Sequence, residues 1–256
     1  MQLTQTTRRP FQLLLLFLVI NLIGACASTP EREELEITFK EDAESFTEPD
    51  KQLAVDIVTD SENEVRKLLP ALPKGIQVEL EIVDWDLDKV GGVTGRAETN
   101  SPPLVLIQVS NKFPGGITAA LDTGLRSTIY HEFHHLTLGW AIQDNKFTPY
   151  IQTATVIEGL AEVFAEVHTG AAFAENHMPE EVNADDWVKE ILALPKKADY
   201  QTWMFEHPDG RTSIGYRTGN YLIKKALFNS GKTIVELSSL PPSELFKLAG
   251  YELKKQ

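Results

Sequence analysis

Cysteine is nearly absent from the sequence, which contains a single one, Cys26, among its 256 residues. A lone cysteine excludes a disulfide bond within the chain, and in an exported protein it needs another explanation. Cys26 lies near the N-terminus, directly after the small residues Gly24 and Ala25. Its position therefore makes it a candidate for modification rather than for cross-linking.

The N-terminal region has no apolar run long enough to cross a bilayer. Its unbroken run covers only 13–20, whereas a membrane-spanning helix needs about 20 apolar residues. Arg8 and Arg9 precede this run, which is typical of a signal peptide. We therefore predict a signal peptide over 1–25. The stretch Ile23–Cys26 resembles a bacterial lipobox, in which the cysteine becomes the lipidated first residue of the mature protein.

This resemblance predicts a lipoprotein of the bacterial cell envelope with Cys26 as its anchor. Ala27 follows where an aspartate would favour inner-membrane retention, so we expect the outer membrane, with the domain facing the periplasm. An ordinary signal peptide with a chance cysteine is the alternative. The Arg8-Arg9 pair is typical of twin-arginine export, while the strongly apolar run favours the general secretory route, and both remain open.

Basic residues are scarce: Lys and Arg number 24 against 37 Asp and Glu, which gives a formal net charge of −13. Phosphate binding needs basic patches, so we expect no nucleic acid as a partner. Acidic residues are concentrated in 26–50, where apolar residues are few. We expect this segment to be a solvated tether, followed by one domain over 51–256.

Apolar spacing predicts the elements of that domain. We expect helices near 53–69, 122–138, 155–168, 220–229 and 243–248, strands near 76–82 and 104–109, and a glycine-rich turn at 91–95. The stretch 171–214, interrupted by prolines, allows no assignment. The order predicts an α+β fold with a small, mostly antiparallel sheet and a helical C-terminal half. The apolar strand 104–109 is either an edge strand beside the functional site or an interior strand.

Histidine is also scarce, with 6 in the chain, yet three fall in His131-Glu132-Phe133-His134-His135. This H-E-x-x-H pattern lies in a predicted helix, where residues four apart share a face. His131 and His135 can therefore bind one zinc ion about 2 Å away. Glu132 lies at the edge of that face, where it can take a proton from a zinc-activated water. The alternative is a helix with two surface histidines.

The third ligand distinguishes the known H-E-x-x-H layouts. Leu138 and Ala141 exclude a metzincin, and His134 excludes an inverzincin. A glutamate on a following helix remains, within the segment Glu158-Gly159-Leu160-Ala161-Glu162.

Helical geometry ranks the glutamates of that helix. At 100° per residue, Glu158 lies about 90° from the centre of its apolar face, Glu162 about 130° and Glu166 about 170°. We expect Glu158 to be the ligand, Glu162 to accept the outer N–H of a ligand histidine, and Glu166 to face water. The alternative is that all three only solvate the helix.

These motifs resemble the gluzincin, or Peptidase MA-like, zinc metalloproteases. They are most similar to a bacterial family of predicted Zn-dependent proteases whose members share H-E-x-H-H and E-G-L-A-E. The resemblance covers roughly 76–251, including the segment Gly215-Tyr216-Arg217-Thr218-Gly219. It implies a zincin-like fold, Glu158 as third zinc ligand and Glu162 in the position of the second glutamate.

Tyr216 is our candidate donor to the oxyanion that forms during hydrolysis. It lies between glycines that allow close approach of a substrate; a packed tyrosine is the alternative. Arg217 is a further candidate for binding a substrate carbonyl or carboxylate. For His134 we expect a hydrogen bond or a surface position, because one helix cannot easily offer three adjacent ligands to one tetrahedral ion.

The sequence therefore predicts a lipid-anchored zinc metallopeptidase that hydrolyses peptides or proteins. The metal ligands are His131, His135 and Glu158, and the general base is Glu132. Two alternatives remain: a zinc hydrolase of a non-peptide amide or ester of the cell envelope, and a zinc-binding lipoprotein without catalysis. The intact Glu132 argues against the last, since a structural site needs no base.

Overall fold

The computed structural model describes residues 34–40, 44–138 and 150–253. The predicted signal peptide, Cys26 and the first part of the predicted tether lie outside these residues. Among the helices of the described ranges, none combines the length and the apolar character that a membrane span requires.

One small sheet precedes a mainly helical C-terminal half. The strands are β1 (Glu36–Phe39), β2 (Gln77–Val83), β3 (Val93–Asn100) and β4 (Pro103–Ser110). The helices are α1 (Glu48–Leu68), α2 (Gly116–Ala120), α3 (Arg126–Thr137), α4 (Ile151–Thr169), α5 (Ala184–Ala193), α6 (Tyr200–Met204), α7 (Ile214–Ser230), α8 (Ile234–Ser238) and α9 (Pro242–Leu248). This arrangement confirms the α+β class.

The sheet has the order β1-β2-β4-β3. The pairs β1–β2 and β2–β4 are parallel, and only β3–β4 is antiparallel. The expectation of a mostly antiparallel sheet is therefore wrong. The expectation was wrong because the sequence pattern did not predict two of the strands. One is β1, which α1 connects to its parallel neighbour β2. The other is β3, which runs between β2 and β4 in the sequence and reverses the direction of the chain.

The predicted tether is too long at its C-terminal end. Residues 36–39, which we placed in it, form β1, where Ile37 pairs with Val78. Phe46 is buried, with its ring centroid 5.2 Å from that of Phe39. Asp50 is buried as well and caps the first turn of α1. We assigned these residues to the tether because acidic residues dominate the segment and only a few of its side chains face inwards.

The sheet has two edge strands, β1 and β3, and β4 lies between β2 and β3. The strand called the edge strand below is β3, which packs against α3. The apolar run 104–109 is thus an interior strand, as the second of our two alternatives expected. The turn before β3 uses Gly91 and Gly92, whose φ angles of 79° and 82° lie in the left-handed region. The predicted turn at 91–95 therefore ends early, since Val93 already begins a strand.

Of the helices that follow the sheet, α3 packs against β3. Residues 121–125 form a π-helical turn that joins α2 directly to α3. Helix α4 packs on α3 and on α7. The α4–α7 crossing is very close, because a Cβ atom placed on Gly159 would lie 2.3 Å from the carbonyl carbon of Gly219. Helices α3, α4 and α7 thereby surround one cleft beside the edge strand.

Candidate metal centre and active-site cleft

Two helices bring three side chains to one point. The Nε2 atoms of His131 and His135 on α3 lie 2.9 Å apart, and each lies 3.2 Å from Oε2 of Glu158 on α4. All three side chains are largely buried, with exposed fractions of 13%, 10% and 14%. The structure thus brings together the three residues that the sequence proposed as metal ligands.

Glu162 controls the orientation of the first histidine. One turn beyond Glu158 on α4, its Oε1 lies 3.2 Å from Nδ1 of His131. A carboxylate oxygen accepts hydrogen bonds from a ring N–H, so Nδ1 of His131 donates to Glu162 and the ring directs Nε2 towards the cluster. The predicted contact of Glu162 with the outer nitrogen of a ligand histidine is present.

The donor set suits zinc. Two imidazole nitrogens and one carboxylate oxygen are the ligands of open catalytic zinc sites. The ligand atoms of His131, His135 and Glu158 all lie within 4.8 Å of one another, so a cation at their centre would contact all three. Such convergence in a buried setting, with one ring fixed by a carboxylate, is compatible with zinc binding.

Glu132 lies next to the cluster, but its hydrogen-bond partner belongs to the edge strand β3. It is 4% exposed, and its Oε2 accepts a hydrogen bond of 2.7 Å from the backbone N–H of Ala97 on β3. Gly95 leaves room for it, because a Cβ atom there would lie 2.8 Å from Cγ of Glu132. One carboxylate oxygen is therefore fixed by the edge strand.

The environment moves the pKa values of the two central glutamates in opposite directions. Burial raises the pKa of Glu132 above its ordinary value, although His131 and His135 oppose the shift. Burial acts in the same sense on Glu158, but His135 and His131 outweigh it and hold the pKa of that carboxyl well below its usual range. The carboxylate of Glu158 thus stays charged, whereas that of Glu132 accepts a proton more readily.

The side chains of His131, His135 and Glu158 lie in a cleft of about 640 Å³. Residues 94–97 of β3 form one side, α3 and α4 contribute the side chains already described, and further lining residues come from 87–93, 173–176 and 200–216. Tyr216 lines the cleft from the first turn of α7. Burial, and next the charge of Glu158, raise the pKa of its hydroxyl well above 10.

The glycines beside Tyr216 serve protein packing rather than substrate approach. A Cβ atom on Gly215 would lie 2.1 Å from the sulfur of Met204, and one on Gly219 would lie 2.0 Å from the carbonyl oxygen of Thr155. Both glycines therefore allow α7 to lie close to its neighbours. Our interpretation of these glycines was wrong, although the tyrosine itself lies in the cleft.

Three further residues have other partners. His134 is fully buried and bonds to Oγ of Ser238 at 2.8 Å, which confirms a hydrogen-bonding position. Arg217 donates to Glu175 at 2.9 Å and does not line the cleft. Glu166 does not simply face water, since it accepts a hydrogen bond of 2.8 Å from Lys224 on α7.

Sequence reasoning missed several cleft residues. Tyr200, Phe205, Glu175 and Asn176 lie within 171–214, where the pattern allowed no assignment. The N–H of Ala97 has no sequence signal at all, because any residue can supply a backbone donor. Cap residues such as Asn183 and Asp199 could have indicated α5 and α6, the second of which carries Tyr200.

The fold and this cluster define an α+β protein with a candidate zinc site in a cleft. The chain belongs to the family described as Predicted Zn-dependent protease (DUF2268), whose model matches residues 117–247, about half of the chain. No curated protein and no solved structure matched. The matched residues include α3, α4 and α7, while the sheet lies before them.

Proposed function

We propose that the protein is a zinc-dependent peptidase with a gluzincin arrangement, in which His131, His135 and Glu158 hold the metal. The observation that carries this proposal is the meeting of three ligand atoms from α3 and α4 in a buried cluster. Membership of a family described as zinc-dependent proteases supports the reaction class.

The residues around the cluster have distinct roles in hydrolysis. When bound, zinc acts as a Lewis acid that polarises a carbonyl and makes water nucleophilic near neutral pH. Glu132 takes the proton of the attacking water and passes it to the leaving amine. The N–H of Ala97 fixes one oxygen of Glu132, which leaves the other to accept the proton. Tyr216 donates a hydrogen bond to the oxyanion as it develops.

The edge strand supports a peptide as substrate. The peptide N–H of Ser110 donates to the carbonyl of Gly92, so the peptide groups of Gly92 point towards β4. The direction of the peptide groups alternates from one residue to the next along a strand. The peptide groups of Gly95 and Ala97 therefore point away from β4 and towards the cleft, where the N–H of Ala97 donates to Glu132. An extended peptide can pair with Gly95 and so place its scissile carbonyl near the cluster.

Metal analysis and turnover of the purified protein test this proposal together. We expect about one zinc per chain, loss of that zinc in Glu158→Ala, and retention of it in Glu132→Gln. The latter variant should cleave an unfolded casein-like protein at least about 100-fold more slowly, because general-base catalysis contributes about 10²–10⁴ in rate.

Glu166→Gln is the matched control for the ligand variant, since Glu166 lies two turns beyond Glu158 on the same helix. We expect it to keep zinc and activity. Wild-type protein without stoichiometric zinc would refute the metal site. A Glu132→Gln variant with normal turnover would refute the assigned base.

We also propose that Cys26 carries a lipid that anchors the protein in the bacterial cell envelope. This proposal comes from the lipobox-like sequence at residues 23–26. Expression in bacteria fed with labelled palmitate should label the wild-type chain in the membrane fraction, whereas Cys26→Ser should be unlabelled. Labelling of the serine variant, or an unlabelled wild type, would contradict the anchor.

A further inference from the structure

A short turn after α4 touches both walls of the cleft. It comprises residues 173–176, and we name it the bridging turn. Its last three residues, Ala174–Asn176, form one turn of 3-10 helix, with a hydrogen bond of 3.0 Å from Asn176 N to Phe173 O. Three of its side chains line the cleft, and each has a different contact on a different element.

Asn176 binds the carboxylate that orients a proposed zinc ligand. Its Nδ2 donates to Oε2 of Glu162, while Oε1 of the same carboxylate lies 3.2 Å from Nδ1 of His131. Since an ionised carboxylate cannot donate, the amide must present its NH₂ group. Glu162 is thus held at both oxygens, by the histidine on one side and by the bridging turn on the other.

Glu175 fixes the bridging turn to the start of α7. It is only 15% exposed, and Oε1 accepts a hydrogen bond of 3.0 Å from Ser213, while Oε2 accepts one of 2.9 Å from Arg217. A hydroxyl donor, Thr212, also binds Oε1. These contacts prevent the turn from shifting relative to α7, so the amide of Asn176 stays opposite Glu162.

Phe173 fixes the other end of the bridging turn to the loop before the edge strand. Its ring lies so close to Gly91 that a Cβ atom there would be 2.6 Å from Cε1 and Cζ of the ring. The turn is therefore held between the start of α7 and the loop that leads into β3. Neither contact involves a proposed metal ligand.

We propose that Asn176 is a positioning residue for the metal centre, which acts on His131 through Glu162. The inference rests on the proposed zinc site. A glutamate side chain has three rotatable bonds, and a single contact to a histidine leaves its carboxylate free to swing. The second contact, from Asn176, limits that motion and keeps Nε2 of His131 directed at the cluster.

The zinc affinity of the full-length protein tests this role, measured by competition with a chromophoric chelator. Replacing groups that orient metal ligands typically costs about 10–100-fold in metal affinity. We expect Asn176→Ala to weaken zinc binding by about tenfold, at the lower end because it acts through Glu162. Asn176→Leu, which keeps the branched shape of the side chain but has no donor, should give the same loss. The melting temperature of the metal-free protein should stay close to the wild-type value.

Asn220→Ala is the matched control. Asn220 donates to Glu166 at 3.3 Å, one turn beyond Glu162 on α4, so the substitution removes the same type of bond. We expect no change in zinc affinity. A double-mutant cycle then tests the route: in a Glu162→Gln background, Asn176→Ala should cause no further loss, because its effect passes through the carboxylate.

The outcomes separate this inference from the proposed function. Wild-type protein that binds no zinc would overturn both. Normal zinc affinity in Asn176→Ala and Asn176→Leu, with tight binding by the wild type, would overturn only the role of Asn176. If Asn176→Ala lowered zinc affinity by a further tenfold in the Glu162→Gln background, Asn176 would not act through Glu162. That result would also overturn the proposed role of Asn176.

Discussion

Two tyrosines line the cleft, and their surroundings distinguish them. Burial and then Glu158 raise the pKa of both Tyr200 and Tyr216. Glu162 and Glu132 act on Tyr216 in addition. Within the described part of the chain, neither hydroxyl has a hydrogen-bond partner. The charges of all three glutamates thus act on Tyr216, whereas among them only Glu158 acts on Tyr200.

We predict that Tyr216→Phe lowers kcat and leaves zinc content unchanged. Loss of one oxyanion donor costs about 10²–10³ in kcat in other enzymes, and a decrease of that order is expected here. Steady-state kinetics with a fluorogenic peptide and metal analysis measure both quantities. Tyr200→Phe is the control, with a much smaller effect on kcat. An unchanged kcat in Tyr216→Phe would remove this residue from the mechanism.

Helical periodicity predicted the site residues that lie on one element. The spacing of His131 and His135 placed both on one face of α3, and the angle of Glu158 from the apolar face of α4 placed it nearest the interior. These relations depend only on the local geometry of a helix. The same reasoning was wrong for Glu166, because its partners Lys224 and Asn220 come from α7.

The crossing of α4 and α7 holds Glu158 and Tyr216 in one cleft. Gly159 and Gly219 meet there, backbone against backbone. In the sequence these glycines appear only as parts of two separate motifs, E-G-L-A-E and G-Y-x-x-G. Their shared purpose, which is close approach of two helices, depends on which helices become neighbours.

We predict that Gly219→Ala destabilises the protein by about 1–3 kcal/mol, the usual cost of overpacking. Alanine favours a helix by about 1 kcal/mol over glycine, but its Cβ would lie 2.0 Å from the carbonyl oxygen of Thr155. A clash with backbone can be relieved only by separating the helices, so the clash outweighs the propensity. Urea unfolding measures the difference.

Phe228→Ala provides the control on α7. Phe228 is 89% exposed, so its replacement should change the free energy of unfolding by less than about 0.5 kcal/mol. Equal stability of Gly219→Ala and the wild type would mean that the two helices do not approach as closely as described.

At the scale of the whole molecule, Asp50 connects the beginning of the domain to the helix before α3. Its Oδ1 accepts a hydrogen bond of 2.6 Å from Thr118 on α2, and its Oδ2 accepts one of 2.6 Å from Thr47. Burial disfavours the ionised carboxylate of Asp50 and so raises its pKa, but these hydrogen bonds outweigh burial and hold the pKa below 3.8. A residue at the end of the predicted tether thus stabilises the fold.

This shift predicts how acid affects stability. The pKa is depressed in the folded state, so the contribution of Asp50 is complete above the unfolded value of 3.8 and is lost as the pH falls through the lower folded value. We expect Asp50→Asn to be less stable than the wild type at pH 7 by about 1.5–3 kcal/mol, the range for hydrogen bonds to a charged group. The difference should narrow below a pH of about 4.

Urea unfolding of both proteins between pH 7 and pH 3 checks this prediction, since any loss of metal in acid affects both alike. Asp56→Asn, at an exposed position of α1, should shift the free energy of unfolding by less than about 0.5 kcal/mol at pH 7. A gap between wild type and Asp50→Asn that stays constant with pH would contradict it.

The sequence by itself determined the α+β class, the helix that carries H-E-x-x-H and the glutamate that faces it, because these follow from spacing along one element. Only the tertiary structure decided that β3 is an edge strand, that Ala97 holds Glu132, and that Asn176 holds Glu162. Each of these contacts joins residues far apart in the chain. Their formation depends on the packing of whole elements, which the local pattern of side chains does not encode.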